Sequence, residues 1–143
     1  MNAKEYLMQI RILDNRIRNI DEEIQDIRSE IITVRSSWPT GQPHGVGTSK
    51  PVEEMVEKLV DELETLETQQ LLLRSQLWTA RVKIIDTIGK VQKAESNRLL
   101  YLRYVQLKRW EEIAVDMNYT YQWVCGTLHP NALYEVQQIL DRN

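Results

Sequence analysis

Cys125 and His129 stand four residues apart, one helical turn, which puts a thiol and an imidazole on one face. Such a pair is the raw material of nucleophilic catalysis. It also needs a third group to orient the base and donors to hold an oxyanion, and the sequence supplies neither. The spacing reads as a helix-face coincidence, and no enzyme activity is expected. His44 lies in a Gly/Pro-rich stretch without ligating neighbours, so neither a metal nor another cofactor is expected. A different chemistry occupies residues 98–127. Arg98, Arg103, Lys108 and Arg109 are cations suited to phosphate, while Thr120, Tyr121, Gln122 and Thr127 carry neutral groups suited to base edges or phosphate. Gln122 has the bidentate amide that reads adenine in a major groove.

The net charge of −3 over 143 residues argues against a nucleic-acid partner, but its distribution says more. Glu53, Glu54, Glu57, Asp61, Glu62, Glu64 and Glu67 are opposed within their stretch only by Lys58. Arg81, Lys83, Lys90, Lys93, Arg98, Arg103, Lys108 and Arg109 are opposed by Asp86 and Glu95. An acidic arm leads into a basic end, and a local basic patch acts on phosphates whatever the total charge. The same residues serve equally as solvated helix faces. A 42% hydrophobic and 27% charged composition is that of an ordinary globular chain. The single cysteine excludes an internal disulfide and fits a reducing compartment. No secretory signal and no apolar run of about 18 residues is present, so a cytoplasmic protein without a membrane segment is expected.

Those side chains must be positioned by helices. Ile10, Leu13, Ile17, Ile20, Ile24, Ile27, Ile31 and Val34 alternate spacings of three and four, a heptad seam. Asn2 with Glu5 three residues on forms a capping-box signature at the start. Ser36 begins a Gly/Pro/Ser-rich stretch that predicts a loop over 36–51, and Pro51 suits the first turn of the next helix. Val52, Val56, Leu59, Leu63, Leu66, Gln70, Leu73, Leu77, Ala80, Ile84, Thr87 and Val91 form a second seam. One loop between two seams predicts an antiparallel hairpin. Outer positions Leu71, Leu72 and Ile85 are also apolar, which predicts pairing with a further copy, a homo-oligomer, or with the C-terminal part.

After residue 95 the period changes. Arg98 to Val105 and Trp110 to Met117 predict short helices, Asn118 suits a left-handed turn, and Thr120 suits an N-cap. Ile113, Met117, Tyr119 and Val124 supply a core, and Ala114 permits a close helix crossing. Short helix, tight turn and capped helix is the order of a helix-turn-helix. Gly126 and Pro130 predict a kink or break between Gly126 and Asn131, with a separate final helix ending near Leu140. The fold class is thus all-α: a long antiparallel, coiled-coil-like hairpin (1–95) followed by a helix-turn-helix bundle (96–143).

Leu102-Arg103-Tyr104, Trp110-Glu111-Glu112-Ile113-Ala114, Tyr119-Thr120, and Leu128-His129 with Ala132-Leu133 give this segment a resemblance. In that order they resemble the sigma-factor region-4-like domain of phage transcriptional regulators of the ArpU/RinA type, over roughly residues 98–140. The glycine such domains place before the Trp helix is Leu107 here, and the turn glycine is Asn118. The interval from Val124 to His129 is one residue longer than the family pattern. No charged residue lies between Tyr119 and Tyr134. The resemblance implies a phage or prophage regulator that binds double-stranded promoter DNA, beside RNA polymerase as region 4 does. Arg98, Arg103, Lys108 and Arg109 would grip phosphate, and Tyr121 and Gln122 would contact bases. A charge-poor aromatic helix suits a protein partner equally, which makes a coiled-coil adaptor the second reading. A small terminase subunit is the third, though its DNA-binding part usually comes first.

Overall fold

The computed structural model describes residues 1–37 and 50–143. Those residues form helices and turns without a strand, and the fold is all-α. Helix α1 (Ala3–Leu7) opens under the expected capping box. The Asn2 side chain accepts from the Glu5 N–H at 2.8 Å, and the Glu5 carboxylate accepts from the Asn2 N–H at 3.4 Å. A turn at Met8 separates it from α2 (Gln9–Ser36), and α3 (Lys50–Gly89) follows with Pro51 in its first turn. Of the loop expected over 36–51, Ser36, Lys50 and Pro51 are helical, and residues 38–49, His44 included, lie outside the described residues. Helix α4 (Ala94–Leu100) runs on into a π-helical turn, Tyr101–Val105. Then come α5 (Trp110–Met117), α6 (Tyr121–Trp123), a second π turn (Val124–Leu128) and α7 (His129–Arg142).

By contacts the chain divides into two compact units. The first is Asn15–Arg74. Its segments of α2 and α3 run antiparallel: Gln70 donates to Asp21 at 3.4 Å, while Arg28 and Glu67 pair at 3.2 Å. Ile17, Ile24 and Ile31 are buried on the α2 side of the seam. Val52, Val56, Leu59, Leu63, Leu66 and Leu73 are half-buried on the α3 side. Two helices cover each other on one stripe only, which is why this seam stays partly wet.

The second unit joins Met1–Asp14 to Ser75–Asn143, so contacts group the ends of both long helices with the C-terminal helices. The cause is one shared core. Leu7, Ile10, Ile84 and Ile88 are fully enclosed with Leu99, Leu102, Tyr104, Ile113, Val124, Ala132 and Val136. Each large apolar side chain so buried contributes about 1.5–3 kcal/mol. Thr87, a polar member of the seam, is buried because the Tyr6 hydroxyl meets its Oγ1 at 2.8 Å and Lys83 O accepts from it at 3.0 Å. The Ala3 N–H donates to Gln137 Oε1 at 2.7 Å, fastening the N-terminus to α7.

Of the kink or break expected before α7, the break does not occur. Residues 121–142 are helical without interruption, and Trp123, Val124, Leu128 and His129 all keep right-handed helical angles. Pro130 has no N–H to bond back to Gly126. The π turn over Val124–Leu128 already shifts hydrogen bonding from four residues back to five, so the missing donor is absorbed in a widened turn. Among the described residues no helix is long and apolar enough to cross a membrane.

Candidate nucleic-acid interface

Two left-handed residues shape the helix-turn-helix. At the first corner Leu107 has φ 59°, and the Lys108 N–H reaches back to the Leu102 carbonyl at 3.0 Å. A left-handed leucine costs about 1 kcal/mol, so the corner must be held by its surroundings. Arg103 does this: its Nη1 donates to the Lys108 carbonyl at 3.0 Å while its guanidinium lies 4.5 Å from the Trp110 ring centroid. At the second corner Asn118 has φ 58° and ψ 39°. Its N–H bonds Val115 O at 3.2 Å and the Tyr119 N–H bonds Ala114 O at 3.0 Å, the Schellman closure of a helix C-terminus. Thr120 then caps the next helix, its hydroxyl accepting from the Trp123 N–H at 3.1 Å. Ile113, Ala114 and Val124 are buried where the two helices meet.

The four sequence-predicted cations fare differently. Arg98 is exposed on α4 with no ion pair among the described residues. Lys108 Nζ pairs with Asp116 at 2.7 Å, and Arg109 Nε pairs with Glu112 at 2.8 Å. The Arg109–Glu112 bond raises the guanidinium pKa and lowers that of the carboxyl. Arg103 is half-buried at its corner. Burial holds its pKa below the usual range, and the neighbouring Arg11 pushes the same way. Arg103 is thus built into the turn, and Lys108 and Arg109 line its rim in surface pairs.

On the second helix Tyr121 and Gln122 are exposed, and Thr127 is half-buried. The neighbouring Cys125 side chain raises the pKa of the Tyr121 phenol. Trp123 also stands outward, 47% exposed. His129, the imidazole one turn beyond Cys125, is turned to another task. Its Nε2 lies 2.6 Å from the Tyr104 hydroxyl and its ring centroid 4.5 Å from that of Trp110. Burial pushes its pKa down to about 4, with Lys4 and Arg103 adding repulsion, and burial raises Tyr104 to about 12. The ring is a packed, neutral member of the core edge, so it is not oriented as a base for the thiol.

Charge follows the two units. The unit carrying the helix-turn-helix has eleven basic and nine acidic side chains, whereas the arm unit Asn15–Arg74 has seven and twelve. Sequence reasoning overlooked Arg11, whose Nε and Nη2 are buried without an acceptor among the described residues. Its place between seam residues Ile10 and Leu13 gave no hint that it would lie beside Arg103. Comparison with known protein families, with curated proteins and with solved structures gave no match to this chain.

Proposed function

We propose that this chain is a transcriptional regulator of the phage ArpU/RinA type, binding double-stranded promoter DNA through its C-terminal helix-turn-helix, as a cytoplasmic oligomer and beside RNA polymerase. One observation carries the reading. Leu107 and Asn118, the residues that replace the two glycines of that family's pattern, are the two non-glycine residues with positive φ among the described residues. A second observation agrees with it. The one residue by which the Val124–His129 interval exceeds the pattern coincides with the π turn over Val124–Leu128, the form in which a helix absorbs a single added residue. In this reading Tyr121, Gln122 and Thr127 face the major groove, with Gln122 contacting adenine. Arg98 contacts phosphate directly. Lys108 and Arg109 exchange Asp116 and Glu112 for phosphate, because exposed ion pairs are worth only about 0–1 kcal/mol. Arg103 is a positioning residue and Thr120 a cap. The acidic arm unit is kept away from the duplex by its own charge.

The test is fluorescence anisotropy with DNA from the gene's own neighbourhood at several salt concentrations. Binding should fall steeply with salt, and Arg98→Ala should reduce the logarithmic slope by about 1 on every sequence. Gln122→Ala should leave the slope intact and shrink the preference for specific over random DNA by roughly 1–3 kcal/mol. Absence of any salt-sensitive binding, with RNA polymerase present, would sink the regulator reading. The adaptor reading has its own observation: Tyr121 and Trp123 are each 47% exposed on a helix without charge. Under it a protein contact is lost on Trp123→Ala while DNA is ignored.

A further inference from the structure

We infer that α3 binds a second copy of this chain, in parallel, through the face it turns away from its own hairpin. The inner seam of α3 takes Leu73, Leu77, Ala80, Ile84 and Thr87, which are buried or half-buried. At 100° per residue, Leu71, Ser75, Trp78, Val82, Ile85 and Gly89 form a stripe on the opposite side, again at alternating steps of four and three. Trp78 is 67% exposed, Val82 52% and Ile85 38%; Leu71 and Leu72 are 71% and 60% exposed. The repeat is a second heptad seam, and no helix among the described residues is laid upon it. Its large members, Leu71, Trp78 and Ile85, hold one core position, and Ser75, Val82 and Gly89 hold the other. Large and small layers alternate, and a Cβ at Gly89 would meet nothing within 4 Å, so a neighbouring helix has room to approach there.

Area and charge both point to a second copy as the occupant. The exposed parts of the stripe's four apolar side chains, Leu71, Trp78, Val82 and Ile85, come to on the order of 500 Å² per copy. A symmetric pairing therefore buries about 1,000 Å² before its flanks are counted, the least that a specific interface needs. Parallel pairing sets Arg81 of one copy against Asp86 of the other, the flanking positions that meet across a parallel coiled coil. Among the described residues each has only a long bond at home: Arg81 Nη1 to Val105 O at 3.4 Å, and Asp86 to Lys90 at 3.5 Å. Antiparallel pairing centred on Trp78 would instead bring Arg74 against Arg81. The inference sharpens the oligomer of the proposed function and is independent of whether the helix-turn-helix meets DNA.

Sedimentation equilibrium of the full chain should give twice the chain mass. Trp78→Lys should weaken the dimer at least tenfold while leaving the circular dichroism spectrum and thermal midpoint close to wild type, because the side chain it replaces is exposed. Direction is read from Ser75→Cys in a Cys125→Ser background. With mild oxidant it should cross-link within the dimer, and Gly89→Cys in the same background should do so too, since an antiparallel pair can bring only one set of equivalent positions together. A chain that is monomeric at high concentration, or a dimer indifferent to Trp78→Lys, overturns the interface. A dimer broken by Trp78→Lys but not cross-linked through both residues 75 and 89 overturns the parallel arrangement.

Discussion

His129 makes the stability of this protein pH-dependent in a range where few other groups titrate. Its ring sits among Tyr104, Trp110, Lys4 and Arg103, with no carboxylate against it, so the folded chain favours the neutral imidazole and its pKa falls to about 4. In the unfolded chain the pKa is about 6.5. A depressed histidine contributes its full stability above the unfolded pKa. That contribution is lost as pH falls below 6.5 toward 4, because the unfolded state takes up the proton first. Between pH 7.5 and 5.5 the loss works out at about 1.3 kcal/mol, roughly a tenfold change in the folding equilibrium. Placing the folded pKa a full unit higher, to allow for water at the ring's open edge, lowers this only to about 1.2 kcal/mol. Urea unfolding followed by circular dichroism at the two pH values measures it in wild type and His129→Gln. Both proteins keep His44 and every carboxylate, so those titrations cancel in the comparison. The wild type should lose about 1 kcal/mol more than the variant. Equal losses in the two proteins would refute the claim that His129 is held neutral.

Two further perturbations test the architecture. Asn118→Ala should destabilise the helix-turn-helix by about 1 kcal/mol, whereas Asn118→Gly should be neutral or slightly stabilising, since the left-handed corner penalises a Cβ; thermal unfolding reports both, and equal effects would refute the backbone argument. Ile24→Ala, which empties the best-buried seam position of the arm unit, should cost about 2–5 kcal/mol, and hydrogen exchange should show the loss concentrated in residues 15–74.

What could be read from the sequence was local. The seam of α2 and that of α3 declared themselves by period, and Asn2, Thr120 and Asn118 by the capping and turn chemistry of their side chains. Gln70 and Thr87, polar residues in a hydrophobic seam, proved to have partners in Asp21 and Tyr6. Long-range pairings were not legible. Nothing near Ala3 announces that its N–H will find Gln137, and nothing near Arg11 announces that it will lie beside Arg103. Arg109 with Glu112 was legible in principle, as an oppositely charged pair three residues apart, yet the reading treated Arg109 as unencumbered. Pro130 marks a widened turn and not a break, for a physical reason. A proline announces that one hydrogen bond is missing, and says nothing of whether a widened turn just before it will absorb the loss.

That widened turn gives the chain latitude in length as well as identity at one place. At Gly126 an added Cβ would touch nothing within 4 Å, so many side chains fit there. Removing the residue altogether is tolerated for a different reason. A π turn takes up one added residue locally, so without it the rod closes into ordinary α-helix with the faces on either side still in register. Ala132 and Val136 would stay in the core while Tyr121 and Gln122 kept their outward face. Across descendants of this chain, residues 124–128 should accept both substitution at Gly126 and a single-codon deletion, whereas a plain α-helix losing one residue would turn its downstream face by about 100°.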